Sequence, residues 1–233
     1  MFKSTLQPGG LPWYDRGERG DPMAFSPIDL QSWERREYFE HYMMAVPCTY
    51  SLTVPLDVTP LEGVPLYPAL LWAITTAVNA VPQFRTGMKD GVPGLFDGMH
   101  PAYTVLDKDT KRFSSIWTEY HPVYGVFEQR VREDMAQYGP SGRLFPKPGQ
   151  PENCFDVSMT PWLDFTAFNL NLYDSRRYTL PIFTLGKLEE RDGKKTLPLA
   201  IQVHHAVCDG YHVGLLVEHL RQTIEQHNWR NTL

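Results

Sequence analysis

The chain has 233 residues, 42% of them hydrophobic and 21% charged, and 22 Lys and Arg against 27 Asp and Glu leave it with a formal charge of −5. That length suits one large packed domain, and the balance is neither that of a disordered chain nor that of a membrane protein. An acidic chain without a dense basic run offers phosphates no electrostatic track, so nucleic acid is not expected as a partner.

Gln7, Pro8, Gly9, Gly10 and Pro12 stand where a signal peptide needs an apolar stretch, and no apolar run of about 18 residues occurs. A cytoplasmic protein with no membrane association is therefore expected. Cys48, Cys154 and Cys208 are widely spaced and form no Cys-x-x-Cys pair, so neither a disulfide framework nor a metal site is indicated.

Residues 1–28 are rich in Gly, Pro and charge and are expected to form an arm, with Trp13, Tyr14 and Phe25 as anchors; the domain is expected over 29–233. Trp33 to Tyr42 suggests a short helix or turn, and Thr49 to Leu56 a strand. In Tyr67 to Val78, Leu70, Leu71, Ile74 and Val78 mark a helix with one buried stripe, stopped by Pro82. Between Phe84 and Trp117, β-rich runs alternate with turn signals such as Asp90-Gly91, which predicts antiparallel strands.

Val123 to Tyr138 carries Val126, Phe127, Val131 and Met135 on one helical face, and a Pro- and Gly-rich loop follows to about Pro151. Phe165 to Leu172 alternates as a strand does. Thr179 to Leu188 and Leu197 to His205 are β-rich and flank the hairpin signal Asp192-Gly193; Val213, Leu216, Val217, Leu220 and Ile224 stripe a final helix. Strands mixed with three helices, without strict βαβ alternation, predict an α+β fold: a mixed, largely antiparallel sheet covered by helices in a two-layer sandwich. No Gly-x-Gly-x-x-Gly follows a strand, which argues against a dinucleotide-binding fold.

The most informative stretch runs from Gln202 to Gly210, where a strand with Leu199, Ile201 and Val203 on one face ends in His204-His205 and a turn. By alternation His205 continues the apolar face. Partial desolvation there disfavours the imidazolium and suits a base that takes a proton from an alcohol. The same spacing also fits a structural pair bonded to backbone carbonyls, with Asp209-Gly210 as a turn or helix N-cap. Adjacent strand histidines point apart and no third ligand is spaced to join them, and Cys208 lacks a cationic partner that would activate it.

His204-His205-Ala206-Val207-Cys208-Asp209-Gly210 resembles the HHxxxDG motif of chloramphenicol acetyltransferases, dihydrolipoyl acyltransferases and peptide-synthetase condensation domains. The fuller string from Gln202 to Val213 is similar to the chloramphenicol acetyltransferases in particular. The likeness runs from about Asp29 to the C-terminus through Trp33 to Glu37, Val46-Pro47-Cys48, Tyr50 to Thr53, Phe113-Ser114-Ser115 and Leu144-Phe145-Pro146. It continues in Pro151-Glu152-Asn153, Pro161-Trp162, Phe168 to Asn171 and Pro181 to Thr184.

The resemblance implies a homotrimer with sites at subunit boundaries, in which the base of one subunit faces an acceptor pocket built largely by its neighbour. Acetyl-coenzyme A would be a co-substrate rather than a bound cofactor, and the acetyl group would pass directly to a hydroxyl of chloramphenicol. On this likeness His205 is the base, Ser158 the donor to the oxyanion, and Thr184 the holder of a water near the reacting centre. Asp209 pairs with Arg35, Trp162 lies along the pantetheine arm, and Cys48, Tyr50, Leu106, Phe113 and Asn169 contact substrate or coenzyme.

Departures from the family pattern are Thr49 for a glycine, Tyr50 for a phenylalanine, Leu106 for an aromatic, and Leu188 for a tyrosine beside the adenine. Another hydroxyl or amine metabolite as acceptor, and a binding module without catalysis, are the competing readings.

Overall fold

The computed structural model describes residues 24–139, 141–172 and 178–226. Ten strands are present among them: β1 Phe25–Pro27, β2 Thr49–Asp57, β3 Thr86–Lys89, β4 Val92–Phe96, β5 His100–Leu106, β6 Phe113–Trp117, β7 Cys154–Met159, β8 Ile182–Leu185, β9 Glu189–Arg191 and β10 Lys194–His204. The α-helices are α1 Arg36–Glu40, α2 Leu66–Ala80, α3 Tyr124–Tyr138 and α4 Gly210–Glu225. The main sheet has the order β2-β10-β8-β7-β5-β6, with β9 beside β10, and a small second sheet has the order β1-β4-β3.

The architecture is the expected one, and the sheet is mixed: β5, β7 and β8 run parallel to their neighbours in that trio, while the remaining pairs are antiparallel. Asp90-Gly91 and Asp192-Gly193 close hairpins as their sequences predict. All four residues take positive φ, from 51° to 79°, the conformation that a two-residue turn between twisted strands requires.

Three expectations change. Phe25–Pro27, assigned to the arm, pairs with Gly94 to Phe96 of β4, so the folded part begins before Asp29; the arm from 1 to 23 lies outside the described residues. Phe165 to Leu172 is not a strand, because it lies across the sheet and its Leu170 N–H donates to the Gln202 side chain at 2.7 Å rather than to a neighbouring strand. The α2 helix has no single stripe, since Ala69 to Thr75 are all buried. A helix apolar on every side belongs inside, and α2 packs against α3, α4 and β5.

The strand Cys154–Met159 was not legible in the sequence, although Phe155 and Val157 enter the core from alternate positions. It leaves Asp156 and Ser158 on the opposite face of the sheet, the face that carries the polar residues described below.

Candidate active site

Leu199, Ile201 and Val203 anchor β10 in the core, and the strand ends at His204. The chain then turns: the His204 carbonyl accepts the N–H groups of Val207 and Cys208 at 3.1 and 3.0 Å. His205 sits on this turn, its N–H donating to the Cys48 carbonyl at 2.9 Å. The Tyr42 ring stacks on the imidazole, with centroids 4.0 Å apart and planes within 4°, and Tyr50 meets it edge-on at 5.1 Å. The Tyr50 hydroxyl donates to the Cys208 carbonyl at 3.3 Å. Two aromatic rings and a backbone bond thus fix the orientation of His205.

The two histidines are sorted by their surroundings. His204 is buried, its Nδ1 accepts the Ala206 N–H at 3.1 Å, and burial with His205 alongside pushes it down to about 4. It is a neutral structural ring. His205 keeps 30% of its side chain exposed, with Nδ1 buried 3.2 Å from Asp209 Oδ1 but not aligned as a hydrogen bond. Nε2 is therefore the ring nitrogen placed to meet a substrate.

Asp209 heads α4 and grips Arg35 with both oxygens, at 2.5 Å to Nη1 and 3.0 Å to Nη2. That bond holds its carboxyl below the usual range, against the opposing effect of burial. The Asp209 N–H donates to His212 Nδ1 at 3.0 Å, which ties the first turn of α4 to the same residue. Cys208 is buried and its thiol is pushed up to about 12 by burial, with Asp209 adding to the rise, so it is no nucleophile.

Ser158 and Thr184 face each other across the parallel pair β7 and β8, with hydroxyl oxygens 3.0 Å apart. Thr184 also pairs with Ala200 of β10, five residues before His205. At ~3.3 Å per residue and ~4.8 Å per strand, Thr184 and Ser158 lie roughly 17 to 19 Å from the His205 of the same chain. Leu106 and Phe113 pair with each other at the far edge of the sheet, more than about 20 Å away. One chain gathers Cys48, Tyr50, Arg35 and Asp209 around His205, and it sets Ser158, Thr184, Leu106 and Phe113 apart from it.

Between the groups, a cleft of about 340 Å³ is lined by Thr49, Tyr50, Ser51, Thr53, Asn169 and Gln202, among others. Gln202 binds Leu170 N–H at 2.7 Å and Ser51 Oγ at 3.2 Å through Oε1, while its buried Nε2 has no partner among the described residues. Trp162 is 59% exposed on the loop after β7. That loop lies close because residue 186 is glycine: a side chain there would run into Pro198 and Phe165.

Tyr42 and Gln202 were not singled out from the sequence as site residues. Tyr42 carries no local signal, because its contact with His205 is made by a π-helical turn, His41–Ala45, remote in sequence. No group of three or more His, Cys, Asp or Glu among the described residues could hold a metal, the three cysteines are free thiols, and no helix is long and apolar enough to cross a membrane.

The fold is that of an acetyltransferase sandwich. A solved chloramphenicol acetyltransferase superposes with a TM-score of 0.77 at 23% identity, covering 86% of this chain and all of its own. The dihydrolipoamide acetyltransferase of Azotobacter vinelandii superposes at 0.61 and 16% identity, over 96% and 97% of the two chains. The sequence model of the chloramphenicol acetyltransferases matches residues 23–221. Chloramphenicol acetyltransferase of Vibrio anguillarum is 48% identical over 87% of this chain and 95% of its own, and that of Staphylococcus aureus is 44% identical over 87% and 100%. The chain belongs to the chloramphenicol acetyltransferase family and is an acyltransferase.

Proposed function

We propose that the protein inactivates chloramphenicol by moving the acetyl group of acetyl-coenzyme A to one of its hydroxyls, with His205 as general base. The observation that carries this reading is the clamped imidazole, held between Tyr42 and Tyr50 with Nδ1 turned towards Asp209 and Nε2 left for substrate. A carboxylate beside Nδ1 favours the tautomer with its proton there, which leaves Nε2 a free lone pair.

Nε2 takes the proton of the acceptor hydroxyl as the oxygen attacks the thioester carbonyl. Ser158 donates to the tetrahedral oxyanion, a contribution of about 3 kcal/mol in comparable sites. Thr184, its hydroxyl oxygen 3.0 Å from that of Ser158, would hold a water near the reacting centre. Collapse expels the thiolate of coenzyme A, which recovers the proton from the imidazolium; no acyl-enzyme forms. Trp162 would flank the pantetheine arm, and Cys48, Tyr50, Leu106, Phe113 and Asn169 would line the substrate sites.

The separation of roughly 17 to 19 Å between base and oxyanion donor, from strand geometry, supports a working site that combines His205 of one chain with Ser158 and Thr184 of another. A closed ring of three such head-to-tail contacts is the homotrimer that the family resemblance implies.

Release of coenzyme A thiol from acetyl-coenzyme A, with and without chloramphenicol, tests the reading. Chloramphenicol-dependent release should fall about 10²- to 10⁴-fold in His205→Ala, the range of general-base catalysis. A fully active His205→Ala protein would sink the mechanism, and absence of release by the wild type would move the acceptor to another hydroxyl or amine.

A further inference from the structure

The mechanism leaves one half-buried carboxyl unused. Asp156 stands on β7 two residues before Ser158, and the intervening Val157 points into the core, so Asp156 and Ser158 share the other face of the sheet. Along that face a single row runs Ala102, Asp156, Ile182, Gln202, Ser51, one row from the pair Ser158 and Thr184. Asp156 is thus about 7 Å from Ser158 along the strand.

Among the described residues Asp156 has one hydrogen-bond partner, the Tyr178 hydroxyl, which donates to Oδ2 at 2.6 Å. Burial raises the carboxyl above its usual range while the Tyr178 bond opposes the rise, and burial also raises the Tyr178 hydroxyl. A carboxylate accepts at both oxygens, and Tyr178 occupies one. Among the described residues no donor meets the other oxygen, which lies beside the atoms assigned to the reacting centre.

We propose that Asp156, oriented by Tyr178, is a specificity residue that accepts a hydrogen bond from an N–H or O–H group on the body of the acceptor, away from the hydroxyl that is acetylated. Chloramphenicol carries two such donors beyond the reacting hydroxyl: a second hydroxyl and an amide N–H. The proposal rests on the reading in which Ser158 and Thr184 face the acceptor. Tyr178 fixes the carboxylate in one rotamer, so less freedom is lost when the acceptor binds. An acceptor without a donor at that point would leave the oxygen desolvated and unpaired, which is the stronger source of discrimination.

Asp156→Asn separates recognition from architecture, because the asparagine oxygen still accepts from Tyr178 while its nitrogen can only donate. The Kd of chloramphenicol by calorimetry should rise about tenfold or more in this variant, the scale of a lost bond to a charged group. Its KM should rise in parallel, while the KM for acetyl-coenzyme A changes less than about twofold and the melting temperature is kept. Tyr178→Phe should raise the chloramphenicol KM by less than Asp156→Asn does. Unchanged chloramphenicol binding in Asp156→Asn overturns the proposal, as does an equal rise in both KM values, the signature of a merely structural pair. The calorimetric arm needs no turnover, so a failure of the catalytic reading shows separately, as activity surviving in His205→Ala.

Discussion

Asp209 serves three neighbours from one position. Its carboxylate is gripped by Arg35 at two points, Oδ1 also lies 3.2 Å from His205 Nδ1, and its backbone N–H is taken by His212. The residue behaves as a hub that sets the turn on which the base sits. Fully buried pairs lose about 3 to 5 kcal/mol when one partner is removed; with side-chain exposures of 15% for Arg35 and 30% for Asp209, roughly 2 to 4 is expected. Asp209→Asn should therefore lower stability by that amount and reduce kcat, read from chemical denaturation and steady-state kinetics together. A variant that melts normally and turns over fully would show the pair to be dispensable.

At this scale the HHxxxDG residues and the Arg35–Asp209 pair were legible from the sequence. Tyr42 was not, because stacking across a fold leaves no mark on local spacing. The closeness of Asp209 to the base was not legible either, since the resemblance assigned the aspartate to the arginine alone.

Among the elements, β10 was the easiest to read and β7 the hardest. β10 has a long alternating run that ends in a motif, whereas β7 is a six-residue strand hemmed by Pro151 and Pro161 and packed as a central, parallel member. Its pairing comes from tertiary context, which local signals do not encode. Phe165 to Leu172 shows the converse: an alternating pattern became irregular, with the Leu170 N–H taken by the Gln202 side chain of the sheet beneath and most of its side chains exposed.

Two of these strands also carry buried histidines, His100 in β5 and His204 in β10, each pushed down to about 4 by burial. The unfolded chain, with histidines near 6.5, binds more protons than the native one between those values, so stability rises with pH across that window. Unfolding free energy from urea curves should fall as pH drops from 7 to about 4.5, and replacing His204 with Asn should flatten the slope. An equally steep slope in His204→Asn would show that the ring titrates alike in both states.

For the whole molecule, the separation of His205 from Ser158 predicts a mixing result. His205→Ala and Ser158→Ala proteins should each be poor catalysts alone. Co-expressed, they should regain activity, because about a quarter of randomly assembled head-to-tail sites take an intact histidine from one copy and an intact serine from the next. Mixed assemblies no more active than their parents would place both residues in one chain. The fold class was legible from the alternation of patterns; a site shared between subunits was implied only by the family resemblance, because spacing along the chain does not encode how far along β10 the register with β8 falls.

The α2 helix, enclosed by α3, α4 and β5, has a further consequence. Among the described residues α3, α4 and β5 pack over it, and Leu70, Leu71 and Ile74 are fully buried, so lifting either helix away would expose the centre to water. Cleavage within the core around α2 should therefore follow its unfolding, while exposed loops open at lower cost.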